Sequence, residues 1–206
     1  MFSIIRLIGG GIFFGCSITI IKKVKISHKR ILYIVFALVT LLFITVSAMF
    51  PIENFLITFD SPQKAYEYKF GKSNIELVIE GDNCDFVVDS RNRTYTYSIL
   101  PKTEKGWKIG NGINIKKIAT TYSEEISITV YQYKNTNDYF INILDTNGGE
   151  VIIIDDYNTK FYSLENENDS ANKTIVNYYA HIVDFDQEYS VTVNGKEIVF
   201  KNKIGD

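Results

Sequence analysis

The chain begins with two apolar segments separated by a short basic one. Residues 31–50, ILYIVFALVTLLFITVSAMF, run for 20 residues without a charge, and about 20 such residues are needed to cross the hydrocarbon core of a bilayer. Residues 7–21, LIGGGIFFGCSITII, make a run of only 15, which reaches 20 when residues 2–6, including Arg6, are added. We therefore predict one clear membrane helix, at residues 31–50, and a marginal one before it.

After the second apolar segment, the pattern changes to a short helix followed by strands. Residues 59–71, FDSPQKAYEYKFG, predict a helix, because Ser61 suits the N-cap, Pro62 the first turn and Gly71 the C-terminal end. Short apolar stretches divided by polar turns then predict a four-stranded antiparallel meander that ends near Gly112. Its strands are expected at residues 74–80, 84–89, 94–100 and 107–110.

The rest of the chain predicts a second block of eight short strands, at residues 113–119, 125–133, 138–144, 150–154, 160–164, 174–184, 189–193 and 196–200. Strands this short and frequent are typical of a sandwich or a partly open barrel. Tight hairpin turns are expected at residues 147–149 and at Asn194-Gly195. Residues 151–154 are apolar without a break, which predicts a strand buried on both faces, and residues 165–173 predict an exposed loop.

These elements define a mainly β (α+β) chain. We expect two N-terminal transmembrane helices followed by a β-rich extracytoplasmic domain with one short helix, an antiparallel meander and a sandwich- or barrel-like second block. The corresponding segments are 1–21 (first, marginal helix), 22–30 (basic loop), 31–50 (second helix), 51–112 (helix and meander) and 113–206 (sandwich-like block).

The distribution of charged residues predicts on which side of the membrane each segment lies. The segment KKVKISHKR contains Lys22, Lys23, Lys25, Lys29 and Arg30, and residues 1–50 contain no acidic residue at all. Positively charged loops stay on the cytoplasmic side of a membrane, so the chain after residue 50 should emerge outside, whether or not the first segment spans. That part carries all 24 acidic residues against 16 basic ones, and such an acidic balance argues against nucleic-acid binding.

The first two segments leave three interpretations open. Gly11 and Gly15 form a GxxxG pattern, which favours close pairing with the second helix or with another protein, although glycine is common in membrane helices in general. The sequence FFGC around Cys16 weakly suggests a lipoprotein site, against which the bulky Phe14 and the apolar residues after the cysteine argue. Residues 46–48, VSA, could end a signal peptide, but so long a leader favours an uncleaved anchor.

Few residues in the outer part suggest chemistry. Cys84 has no cysteine or histidine partner at a metal-binding spacing, which favours a buried structural residue over a reactive thiol. His181 is the sole histidine beyond residue 50, and without a nucleophile motif we interpret it as structural. Acidic residues cluster at Asp145 with Glu150, at Asp155-Asp156, at residues 165–169 and at Asp184 with Asp186, without the spacing of a calcium loop. We therefore expect no catalytic residues, no metal and no cofactor.

Tyrosines are the most suggestive side chains, since the chain has 14 of them. Tyr131 and Tyr133 share a strand face with Ser127 and Thr129, and exposed aromatic side chains on a sheet can bind sugars or protein partners. The alternative is that both tyrosines pack against neighbouring strands inside the sheet. On the first interpretation, Tyr131 and Tyr133 form a binding surface.

Four short motifs between residues 59 and 112 suggest a family. Ser61-Pro62 with Ala65-Tyr66, VIEGDN, YSILPK and GWKIG resemble small membrane proteins of unknown function in AT-rich Gram-positive bacteria. The resemblance implies an anchored extracytoplasmic domain and no catalytic residues.

Together these observations favour a membrane-anchored binding module. Besides the lipid bilayer, its expected partner is an envelope protein, a peptide or a wall glycan. One alternative is an envelope sensor that signals through its helices, and a further alternative is a hydrolase acting on wall or peptide substrates.

Overall fold

A computed structural model describes residues 2–23, 29–91, 94–122, 125–147, 151–168, 173–182, 185–186 and 189–200. Within these residues it contains three α-helices, two short 3-10 helices and twelve strands, all of whose pairings are antiparallel. The expected mainly β architecture with antiparallel sheets is therefore confirmed.

Two long helices begin the chain: α1 (Phe2–Lys23) and α2 (Lys29–Met49). They run antiparallel and in contact, because Gly10 lies against Ile44 and the ring centroids of Phe13 and Phe36 are 6.4 Å apart. A Cβ atom on Gly10 would lie 2.8 Å from Ile44 Cδ1, so the absence of a side chain allows this close approach.

One stretch in the described part of the chain, Lys29–Ser47, is long and apolar enough to cross a membrane by length and composition. The predicted second helix is thus present with membrane-spanning character, whereas a second crossing by α1 is not shown. Lys22 and Lys23 end α1, and Lys29 and Arg30 begin α2. Lys25 lies outside the described residues.

A third helix, α3 (Pro62–Phe70), confirms the helix predicted near residue 60. The Ser61 side chain caps it by accepting a hydrogen bond from the backbone N–H of Lys64, and Gly71 ends it at φ 84°. This positive φ is a conformation that glycine adopts without strain. The buried face of the helix carries Ala65 and Tyr66.

The first sheet is the predicted meander. Its strands lie in the order β1-β2-β3-β4, with bounds β1 (Ile75–Glu80), β2 (Cys84–Arg91), β3 (Thr94–Thr103) and β4 (Gly106–Trp107). The α3 residues Ala65 and Tyr66 pack on its outer face against Val87 and Leu100.

Two further sheets form the second block. The central sheet has the order β5-β6-β7-β10-β9, with bounds β5 (Ile115–Tyr122), β6 (Ile126–Tyr133), β7 (Tyr139–Asp145), β10 (Lys173–Ile182) and β9 (Tyr162–Asn168). The third sheet has the order β12-β11-β8, with bounds β12 (Lys196–Val199), β11 (Ser190–Val193) and β8 (Ile153–Asp155). Asn194 and Gly195 join β11 to β12 with φ values of 50° and 78°, which confirms the predicted tight turn.

The central sheet is covered on both faces. One face packs on the third sheet through a core that includes Ile128, Ile141, Ile143, Ala180, Ile182, Tyr189, Val191 and Val193. The other face packs on the first sheet through Tyr133, Phe140, Tyr179, Phe86, Val88 and Ile99. Successive side chains of a strand point to opposite faces, so Tyr179 contacts one core and Ala180 the other. The layers therefore follow the order α3, first sheet, central sheet, third sheet.

Three expectations about the second block were wrong in detail. Residues 151–154 are not buried on both faces, since β8 is an edge strand, and Ile154 in it and Ile152 just before it are exposed. The turn predicted at residues 147–149 does not close a hairpin, because β7 pairs with β6 and β10 whereas β8 pairs with β11, and residues 148 and 149 lie outside the described part. The expected loop at 165–173 is largely strand, as β9 continues to Asn168 and β10 begins at Lys173, with residues 169–172 outside the described part.

The chain between α2 and α3 is bonded to the first sheet. A 3-10 helix, Ile52–Phe55, carries Asn54, whose side-chain amide donates to the carbonyl of Ile109 at 2.9 Å and accepts from the N–H of Ile109 at 2.8 Å. Phe59 and Trp107 exchange two backbone hydrogen bonds of 2.9 Å each. The end of α2 is thereby fixed to the β-rich part through a short and ordered connection.

Candidate functional site

The described residues bring cysteine, histidine and aspartate together at one place, around the buried carboxylate of Asp138. Its Oδ1 atom accepts from the backbone N–H of Asp82 at 2.7 Å and lies 3.1 Å from His181 Nε2. Its Oδ2 atom accepts from the backbone N–H of Asn83 at 2.8 Å and from the Asn83 side chain at 2.9 Å. The carboxylate joins the tip of the first sheet to two strands of the central sheet.

Local sequence explains why this contact forms. Asp138 ends the turn between β6 and β7, and residues 81–83, Gly-Asp-Asn, connect β1 to β2. A Cβ atom on Gly81 would lie 2.6 Å from Asp138 Oδ1 and 2.6 Å from the carbonyl oxygen of Cys84. Only a residue without a side chain therefore allows the β1–β2 turn to close on the carboxylate.

Electrostatics keep Asp138 ionised. Burial alone would raise its pKa, because desolvation disfavours the charged form. Hydrogen bonds from His181, from the Asn83 side chain and from the backbone N–H groups of Asn83 and Asp82 outweigh burial and hold the pKa well below its usual value of 3.8. A full negative charge thus lies between the first and central sheets with each oxygen hydrogen-bonded.

The neighbouring thiol has the opposite character. Cys84 is the first residue of β2 and is fully buried and unpaired with any other cysteine. Burial raises the pKa of its thiol, and the negative charges of Asp138 and Asp85 raise that pKa further. A reactive cysteine requires a depressed pKa and solvent access, so Cys84 is the inert buried residue that its sequence context indicated.

This arrangement resembles a nucleophile–histidine–acid triad only in its composition. In such a triad the imidazole lies between the acid and the nucleophile and activates the latter. Here, among the described residues, the imidazole of His181 bonds only the acid Asp138, and burial together with the negative charge of Asp138 raises the pKa of the Cys84 thiol. The ring of His181 packs 5.1 Å from that of Phe140. The geometry supports a structural role, in which Asp138 and its hydrogen-bond donors hold two sheets together.

Sequence reasoning identified His181 but missed Asp138 as its partner. The two residues are 43 positions apart, and no short motif connects them. The only signal is strand register: His181 pairs with Phe140 across β10 and β7, and Asp138 precedes Phe140 by two positions on the same face. Recognising the pair therefore required knowing that β10 lies next to β7.

Two more buried acids lie on the opposite face of β2, toward α3. Asp85 accepts a 2.6 Å hydrogen bond from Trp107 Nε1 and lies 4.0 Å from Lys102 Nζ. Burial raises the pKa of Asp85, an effect that the Trp107 hydrogen bond opposes. Asp89 accepts from the Tyr66 hydroxyl at 3.2 Å. These contacts attach β4 and α3 to β2 within the first sheet and on its outer face.

Tyr131 and Tyr133, interpreted from the sequence either as a binding surface or as packed against neighbouring strands, lie against the first sheet, with Tyr133 buried and Tyr131 half-buried. Tyr133 is 4 % exposed and belongs to the core between the central and first sheets, and Tyr131 packs against it. The ring centroids of Tyr131 and Tyr97 are 4.8 Å apart, and burial raises the pKa of both Tyr131 and Tyr133. The binding-surface interpretation of Tyr131 and Tyr133 is wrong, because the first sheet covers the face that they share.

Two residues of the acidic clusters, Asp155 and Asp156, accept hydrogen bonds from nearby backbone N–H and hydroxyl groups. Asp155 accepts from the Tyr189 hydroxyl at 3.0 Å and from the N–H of Thr159 at 2.7 Å. Asp156 accepts from the N–H of Ser190 at 2.9 Å. No group of three or more histidine, cysteine or acidic side chains in the described part of the chain is placed to hold a metal ion. Glu150, Asp169 and Asp184 lie outside it.

The glycines predicted to pair helices also require a correction. A Cβ atom on Gly11 or Gly15 would meet nothing within 4 Å. It is Gly10 that contacts α2, whereas Gly11 and Gly15 lie away from it, so their pairing with the second helix is wrong. Pairing of Gly11 and Gly15 with another protein stays a prediction.

Comparisons with protein-family models, with curated proteins and with solved structures found no match to this chain.

Replacing Asp138 should reveal its role in holding the sheets together. We expect Asp138→Asn to lower the free energy of unfolding by about 1.5–3 kcal/mol at pH 7, the contribution typical of hydrogen bonds to a charged group. Asp82→Asn is a matched control, because the Asp82 side chain is exposed in the same contact region. Urea unfolding of the full chain in detergent, followed by the fluorescence of its single tryptophan, measures both. Equal stability of the two variants at pH 7 would rule out the proposed role.

The same comparison has a defined pH dependence. Since the pKa of Asp138 is lowered in the folded state, its contribution is fully present above the unfolded pKa of about 3.9. This contribution is lost as the pH falls through the pKa that Asp138 has in the folded state. The stability difference between the native chain and Asp138→Asn should therefore shrink below about pH 4, whereas the Asp82→Asn difference should stay small throughout.

Proposed function

We propose that the chain is a membrane-anchored module whose β-rich part lies outside the cytoplasm and binds a protein or peptide of the cell envelope. One observation carries this proposal: α2 joins a basic segment at one end to an acidic β-rich part at the other. Its first turn carries Lys29 and Arg30, and residues 51–206 hold all of the acidic residues. Basic residues favour the cytoplasmic side of a membrane, so the opposite end of α2 leads outside.

We further propose that both helices cross the membrane. The contacts of Gly10 with Ile44 and of Phe13 with Phe36 align α1 along α2 in the opposite direction. A helix paired in this way with a spanning helix enters the same hydrocarbon region. Both basic ends, Lys22-Lys23 and Lys29-Arg30, then lie together on the cytoplasmic side.

The edge strand β8 supports binding of a protein or peptide rather than a wall glycan. Among the described strands, β8 pairs only with β11. It presents Ile154, and Ile152 just before it, with exposures of 57 % and 66 %. An unpaired edge with exposed apolar side chains is a template for an added strand. An extended segment of a partner can therefore pair with β8 and cover both isoleucines.

A second candidate is an envelope sensor, which the connection between α2 and the first sheet favours. The paired hydrogen bonds of Asn54 to Ile109 leave little freedom between the membrane helix and the β-rich part. A movement of the β-rich part would be transmitted to α2 rather than absorbed by a linker. The cytoplasmic partner of such a sensor would have to recognise the geometry of the helix pair.

Orientation can be tested with two matched cysteine variants. Lys196→Cys and Lys23→Cys each replace an exposed lysine, in a chain where Cys16 is changed to serine and the buried Cys84 is kept. A membrane-impermeant maleimide added to intact cells should label Lys196→Cys, and should label Lys23→Cys only after the membrane is permeabilised. Labelling of Lys23→Cys alone in intact cells would reverse the proposed topology. Ser3→Cys tests the second crossing, since it should be labelled in intact cells only when α1 spans.

Binding at the edge strand can be tested by photocrosslinking in intact cells. A photoreactive residue at Ile154 should capture one defined partner, and the adduct should disappear when Ile152 is replaced by lysine, because a charge there disfavours an apolar added strand. Tyr122 is 69 % exposed on the edge strand β5 and provides the control position. Equal capture from Ile154 and Tyr122, or capture that the Ile152→Lys change leaves intact, would remove β8 from the proposal.

A further inference from the structure

Phe55 and Leu56 are the most exposed large apolar side chains in the described part of the chain. Their exposures are 89 % and 90 %, above the 69 % of Tyr122. Single exposed apolar residues are ordinary on protein surfaces. Two adjacent ones that contribute almost nothing to the fold indicate instead a surface covered by something else.

Their position relative to α2 identifies what covers them. The uncharged run of residues 31–50 spans about 30 Å as a helix, which matches the hydrocarbon core, and each headgroup region adds roughly 5–8 Å. After Phe50 come Pro51 and the 3-10 helix Ile52–Phe55. One extended residue and four 3-10 residues advance at most about 11 Å. Phe55 and Leu56 therefore cannot move far from the headgroup region.

The local structure keeps the two side chains on the outside. Asn54, the residue just before Phe55, is held to the backbone of Ile109 by its two amide hydrogen bonds. The N–H groups of Leu56 and Ile57 donate to the carbonyl of Glu53 at 2.9 and 2.7 Å. With these backbone groups bonded internally, the segment can enter the membrane interface without leaving those N–H groups unpaired.

We propose that Phe55 and Leu56 insert into the interface of the outer leaflet, in the same bilayer that α2 crosses. This inference rests on the proposed membrane anchoring. The lipid contact forms a second attachment point beside the helix. Because Asn54 ties this point to Ile109, two residues after β4 of the first sheet, the contact fixes how the β-rich part is tilted against the membrane.

The depth of individual residues tests the proposal directly. The full chain, with Cys16 changed to serine and the buried Cys84 kept, is reconstituted in phosphatidylcholine vesicles. An environment-sensitive fluorophore is attached to Leu56→Cys, or to Ile154→Cys as the matched control, since Ile154 is also apolar and exposed. The Leu56 label should emit at shorter wavelength, be quenched by nitroxides placed near the lipid headgroup, and be severalfold less accessible to aqueous iodide than the Ile154 label.

A label at Leu41→Cys, in the middle of α2, distinguishes failure of the interfacial contact from failure of the membrane anchor. If the Leu41 label is deep while the Leu56 label is as accessible to iodide as the Ile154 label, the interfacial contact is overturned and the anchor stands. If the Leu41 label is itself accessible to iodide, the anchor and the contact both fail. A further change, Phe55→Ser, should move the Leu56 label toward water, and an unchanged depth would contradict joint insertion of the two side chains.

Discussion

The central sheet carries apolar side chains on both of its faces, and this property determines the layering of the whole β-rich part. A sheet with two apolar faces needs a cover on each of them. The third sheet covers one face and the first sheet covers the other. Burying each large apolar side chain contributes about 1.5–3 kcal/mol, so the two interfaces supply most of the driving force for assembly. The first sheet in turn buries its outer face under α3.

The buried polar contacts determine how the packed sheets are placed relative to one another. Apolar faces alone permit small shifts of one sheet over another, whereas the buried carboxylate of Asp138 requires its donors at fixed places. It obtains them from the β1–β2 turn and from β10, which sets the register of the first sheet on the central one. Asn54 has a comparable effect at the end of the β-rich part next to α2, where it ties the chain after α2 to Ile109.

The sequence predicted those elements whose signals are local. The cap at Ser61, the end of α3 at Gly71 and the Asn194-Gly195 turn were all found, because each depends on the conformational preference of a few adjacent residues. The meander and most strands followed from alternation of apolar and polar positions. The candidate site did not follow, since pairing Asp138 with His181 depends on the non-local neighbourhood of β7 and β10.

The predictions about burial that were wrong have a common cause. Whether a side chain is buried depends on which other element covers its strand or helix. Ile152 and Ile154 were expected inside because their run is apolar, but β8 lies at a sheet edge with one face open. Tyr131 and Tyr133 were interpreted either as a binding surface, because their face contains Ser127 and Thr129, or as packed against neighbouring strands, and the first sheet covers that face. The helix pair gives a third example, because Gly10 lies on the side of α1 that faces α2, whereas Gly11 lies on another side.

Hydrogen exchange of the full chain in lipid nanodiscs tests most directly whether the central sheet is the part of the fold on which the other layers depend. Amides of β7 and β10, which lie between two covered faces and two neighbouring strands, should exchange only through global unfolding, with a free energy equal to that of the whole β-rich part. Amides of the edge strand β12 should exchange at lower free energy. If β10 exchanged more readily than β1 and β2, the central sheet would open while its cover stayed folded, and this account of the fold would be contradicted.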